Sequence, residues 1–142
     1  MRIIILAGVF ILAAITFGYC GAPDNALTQL RSELENDGVS DQFIKITESS
    51  VKRMLASNAK PADIRTVLLD LWGEGVKGRA LKNAVAAVAE LVASGDDTLE
   101  AARIASGAAH KAEAEGLSGF GVGMRVKKAV QDRKAYLKSQ GK

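Results

Sequence analysis

The chain has 142 residues, a net charge of +3, and a hydrophobic fraction of 48% with 5% aromatics. A single cysteine, Cys20, excludes a disulfide within the chain, and a single histidine, His110, excludes a site built on two imidazoles. The chain beyond its N-terminal stretch is long enough for one domain with a modest core.

Residues 1–22, "MRIIILAGVFILAAITFGYCGA", place one cation at Arg2, an apolar run from Ile3 to Phe17, and then small residues. That order is the pattern of a secretory signal. The expectation is a cleaved signal peptide or lipoprotein signal over 1–22 and an exported protein of the periplasm or cell envelope. Continued to Ala22, the run approaches the ~20 residues that span a bilayer, so an uncleaved anchor is the other outcome. Cys20 directly follows the apolar run and is the lipidation candidate. The stretch resembles a bacterial lipobox, with Phe17 where that pattern has Leu and Tyr19 where it has a small residue. The resemblance implies acylation of the thiol, and two acyl chains would tether the protein to a membrane. Ordinary cleavage near Gly18, Cys20 or Ala22 is the alternative, and Pro23 hinders the last of these because proline restricts the extended strand a protease reads.

From Pro23 onward the apolar spacing is helical. In "LKNAVAAVAELVAS" the residues Leu81, Ala84, Val85, Val88, Leu91 and Val92 fall on one stripe. "IRTVLLDLW" does the same with Ile64, Leu68 and Leu71. Gly38, Asn58, Gly75 with Gly78, Gly95 and Gly116 come after helical runs, where a left-handed residue ends a helix. Ser40, Pro61, and Asp97 with Glu100 mark starts. The predicted helices are 26–36, 40–57, 61–73, 78–94, 97–115 and 122–139, with a break of the second near Thr47 because "TESS" is a poor helix interior. The stops recur every 17 to 21 residues. Helical hairpins explain this better than a true sequence repeat. The fold class is therefore all-α: five to six short antiparallel helices in a small bundle or helical-hairpin stack, one domain over 23–142 with a basic C-terminal helix.

In 97–115 alanine dominates, and Gly107 sits at the centre. Packing around Ala105, Ala108 and Ala112 is expected, with small residues admitting a close neighbour and only a shallow groove; the alternative is that this helix is the least stable element. Trp72, after "VLLDL", is expected in the core.

The glycines of "GLSGFGVGMRVKKAV", residues 116–130, admit three readings. The first is a flexible connection whose Phe120 and Met124 pack into the core. The second is contact with an anionic surface through Leu117, Phe120, Val122 and Met124 beside the cations. A phosphate cradle ranks last, because G-x-G-x-x-G fails at Met124 and no strand precedes the loop. His110, between Lys111 and Glu113, is expected to face solvent. The acid pairs Glu33/Asp37, Asp70/Glu74, Asp96/Asp97 and Glu113/Glu115 could serve a hydrolase. Near helix ends and with few aromatic rings to stack a sugar, they read as surface charge.

Charge is uneven. Residues 23–120 carry 11 Lys+Arg against 15 Asp+Glu, and residues 121–142 carry 7 against 1. The basic end can lie on anionic headgroups or pair with the acidic body of its own or another copy. Its helix has Val126, Val130 and Leu137 on one side and cations on the other. The contact candidates are Arg125, Lys127, Lys128, Arg133, Lys134 and Lys138. The expected function is a non-catalytic interaction or scaffold module of the bacterial envelope, membrane-associated and meeting anionic lipid or an acidic partner. No cofactor, metal or nucleic acid is expected. The alternatives are a periplasmic helical module binding an apolar small ligand, and then a hydrolase using paired carboxylates.

Overall fold

The computed structural model describes residues 23–141. These form six α-helices: α1 (Pro23–Asn36), α2 (Asp41–Ala56), α3 (Pro61–Gly73), α4 (Gly78–Ala93), α5 (Thr98–Ala114) and α6 (Gly119–Ser139). No strand occurs among the described residues. The all-α class, the six elements and the bundle agree with the sequence reading.

Four residues separate each helix from the next, at 37–40, 57–60, 74–77, 94–97 and 115–118. In every connection the second residue is left-handed, with φ between 63° at Asn58 and 91° at Gly95. The third residue's N–H then donates to the carbonyl five residues back: Val39 to Leu34, Ala59 to Met54, Val76 to Leu71, Asp96 to Leu91 and Leu117 to Ala112, at 3.0–3.1 Å. This closes a helix end while reversing the chain. Asn58 is the one non-glycine in the set, and its short polar side chain tolerates the left-handed region.

Starts are less uniform. Ser40 accepts from Phe43 N–H, and Asp97 accepts from Leu99 and Glu100 N–H. Pro61 opens α3 without a side-chain cap. The capping box at Asp97 forms only by half, because Glu100 turns to Arg103 instead. Two predicted boundaries are corrected. α1 starts at Pro23 rather than residue 26, and α6 at Gly119 rather than 122. The expected break near Thr47 is absent, since the Thr47 hydroxyl bonds the Phe43 and Ile44 carbonyls and lies buried inside a continuous α2.

α4 is the centre of the fold. It packs against α2, α5 and α6, and eight of its residues are buried, including the whole predicted stripe. Leu81, Val85, Val88 and Leu91 are at most 1% exposed. Each such side chain contributes about 1.5–3 kcal/mol by leaving water. Trp72 packs onto the core at its edge, its ring 5.3 Å from Phe43 and nearly perpendicular to it. In α5, Ala101, Ala105 and Ala112 are buried and Ala108 partly so. Gly107 does not serve close approach: it is exposed, and nothing lies within 4 Å of where a Cβ would stand.

Candidate functional site

α6 buries Val122, Val126, Val130 and Leu137 against α4 and α5. Phe120 and Met124 lie two positions off that stripe, about 200° around the helix, and so point away from it. Phe120 is 73% exposed, Met124 53% and Leu117 36%. The first-ranked reading of this stretch, a flexible connection with Phe120 and Met124 in the core, is therefore overturned. For Phe120 the cause is the earlier helix start, which puts Gly119 and Gly121 inside α6 along with Gly123, while Met124 already stood off the Val126 and Val130 stripe of the predicted helix. Two of these glycines permit contacts instead of motion. A Cβ at Gly121 would lie 3.0 Å from the Leu117 side chain, and one at Gly123 would lie 2.8 Å from Asn83 Nδ2.

Between α4 and α6 an open groove of about 320 Å³ lies beside this patch. Ala86, Ala87, Gly119 and Gly123 make its floor with the Asn83 amide beside them, and Phe120 and Met124 one wall. Arg79 and Lys127 also line it, both exposed, and neither has an acidic partner among the described residues. Arg79 was missed by sequence reasoning. The signal available was the face Arg79, Asn83, Ala86 and Glu90 of α4, helically spaced and free of large apolar residues.

The six predicted contact cations divide. Arg125 binds Glu115 at 2.7 Å, Lys134 binds Glu90 at 3.0 Å and Lys128 binds Asp132 at 3.0 Å. Arg133 grips Asp96 with two nitrogens, at 2.7 and 2.8 Å, and lies over the Tyr136 ring at 5.1 Å. The Asp96 side chain is 3% exposed and that of Arg133 21%. The hydrogen bond to Asp96 raises the Arg133 pKa above its ordinary value, against the opposing effect of burial. Lys127 and Lys138 have no ion-pair partner among the described residues. Pairing with the protein's own acidic body, one of the outcomes weighed for the basic end, thus engages Arg125, Arg133 and Lys134.

Asp96 corrects the reading of the acids as surface charge. It takes the third place in its turn, where the other four turns carry an apolar residue, and its carboxylate is satisfied by Arg133 and by the Asp97 N–H. Of the other acid pairs, only Asp70 and Glu74 share a groove. Glu33 and Asp37 both face Arg65, Asp97 caps α5, and Glu115 holds Arg125. His110 is exposed, as expected, with Nε2 2.9 Å from Glu74. Asp70 and Glu74 both line an open groove of about 400 Å³ between α3 and α5, floored by Ala84 and Val88 of α4, with Glu74 held by His110. No group of three or more metal-ligating side chains gathers among the described residues.

Cys20 and the predicted leader lie outside the described residues. Among the described residues no helix is long and apolar enough to cross a membrane. Comparison with protein-family models, with curated proteins and with solved structures finds no match.

Proposed function

We propose that the protein is an exported, non-catalytic interaction module of the bacterial cell envelope that docks on an anionic lipid surface through the start of α6. The observation that carries this reading is the joint exposure of Leu117, Phe120 and Met124 beside unpaired Arg79 and Lys127. Single exposed apolar residues are ordinary on any protein, whereas a contiguous apolar patch rimmed by charge marks an interaction surface. A helix that presents rings and thioethers next to cations suits the boundary between headgroups and acyl chains. The apolar run from Ile3 to Phe17, with Cys20 after it, supports delivery to that compartment.

The test uses the full chain carrying Cys20→Ser and Ser118→Cys, with an environment-sensitive dye on the new thiol. Ser118 is exposed and its side chain caps nothing. With the chain held in vesicles, the dye emission shifts to the blue on surfaces containing phosphatidylglycerol and stays unshifted on phosphatidylcholine alone. Phe120→Ser with Met124→Ser removes the shift. A dye that responds equally to both surfaces, or to neither, overturns the reading.

A further inference from the structure

The exposed patch and the groove beside it are continuous, and their chemistries match the two ends of one molecule. We infer that the α4–α6 groove is a seat for a single acyl chain of an anionic membrane lipid, with its headgroup held by Arg79 and Lys127. The inference rests on the docking reading above and adds an occupant to it.

Geometry and charge both select that occupant. The floor of Ala86, Ala87, Gly119 and Gly123 is apolar except for the Asn83 amide beside Gly123, and Phe120 and Met124 extend the apolar surface outward from it. Met is the side chain that best adapts to a flexible chain lying against it. At about 320 Å³ the groove is at the small end of ligand sites, which suits part of one chain and not a bulky ring system. The only acid lining it, Glu90, is already bound to Lys134 at 3.0 Å, so Arg79 and Lys127 keep their charge for a ligand. A second copy of the protein is disfavoured, because an isologous contact here would bring Arg79 and Lys127 against their own equivalents. A cationic or zwitterionic lipid gains little from the same two residues.

The three methionines make the site readable, since Met124 is in the groove wall, Met54 is fully buried and Met1 is in the leader. The full chain, labelled with ¹³C at the methionine methyls, is placed in phosphatidylcholine nanodiscs. Phosphatidylglycerol or phosphatidylcholine bearing a nitroxide on the acyl chain is then added in equal amounts. The Met124 signal broadens at least severalfold more with the anionic lipid, while Met54 is spared. Ala86→Leu, a change at an exposed helical position, fills the floor and abolishes this broadening but leaves the dye shift at residue 118 intact. An unchanged Met54 signal verifies that this variant is folded. Equal broadening by the two lipids, or none, overturns the inference. So does broadening that survives Ala86→Leu, which means a docked surface without a seat. Loss of the dye shift in the parent chain instead removes the docking reading itself.

Discussion

Gly107→Ala tests whether the solvent side of α5 is as open as the structure has it. Gly107 is the tenth of the 17 residues of α5, it is exposed, and its backbone is helical. A methyl group there meets no atom within 4 Å, so the substitution adds no clash. What remains is the backbone entropy that glycine gives up on folding, about 0.8–1 kcal/mol relative to alanine in a helix interior. At an unfolding entropy of about 2.1 cal/mol/K per residue, a domain of roughly 120 residues gains about 3–4 °C in Tm. Calorimetric or circular-dichroism melts of the two proteins measure this directly. Gly95→Ala is the matched control: with φ at +91° the same methyl is strained, and the melting temperature falls. A Gly107 variant that melts at or below the parent would refute the reasoning. It would mean that something covers this face and needs the space a glycine leaves.

The charges yield two further outcomes. Asp96→Val restores the apolar residue that the other turns carry but leaves Arg133 without its carboxylate; chemical denaturation shows it less stable than the parent, and Arg133→Met in the same chain recovers most of the loss. Acid weakens the fold through Asp41, Glu48 and Glu100, whose pKa values are lowered chiefly by hydrogen bonds from Lys45, Lys52 and Arg103. Because the folded state holds these groups below their unfolded values, their contribution is present at neutral pH and is lost as the pH falls through the carboxylate range. The melting temperature measured from pH 6 downward declines accordingly, and less steeply in Glu100→Gln.

The helix ends were legible because a left-handed residue is one of the few local conformations a sequence announces. Gly38, Asn58, Gly75, Gly95 and Gly116 all stop helices. The α4 stripe was legible for a similar reason, since a central helix buries a face wide enough to impose its period on the sequence. The same rule failed at Gly119, Gly121 and Gly123. Glycine density looks alike in a loop and in a helix that must approach its neighbours, and only the packing against Leu117 and Asn83 separates them. Starting the last helix at residue 122 left Phe120 outside its register, although Met124 was already within it and off the Val126 and Val130 stripe. Asp96 was hidden differently. Beside Asp97 it reads as a second surface acid, and its partner Arg133 is 37 residues away in the chain.

The exposed patch has a local cause in the turn before α6. In three of the five turns an apolar third residue is paired with a large one placed five residues earlier: Val39 with Leu34, Ala59 with Met54, and Val76 with Leu71. Val39 is buried and the other two are half-buried, as expected when the turn is closed by an apolar contact. Before α6 the pair is Leu117 and Ala112, and Ala112 is too small to draw the leucine inward. Leu117 instead lies along Gly121 and remains 36% exposed, next to Phe120. The chain has alanine at 112 and phenylalanine at 120, and the resulting apolar surface adds nothing to the stability of the chain alone. Its free energy becomes favourable only when a second apolar surface covers it. That is the physical reason to look for the protein's function at this end of the bundle.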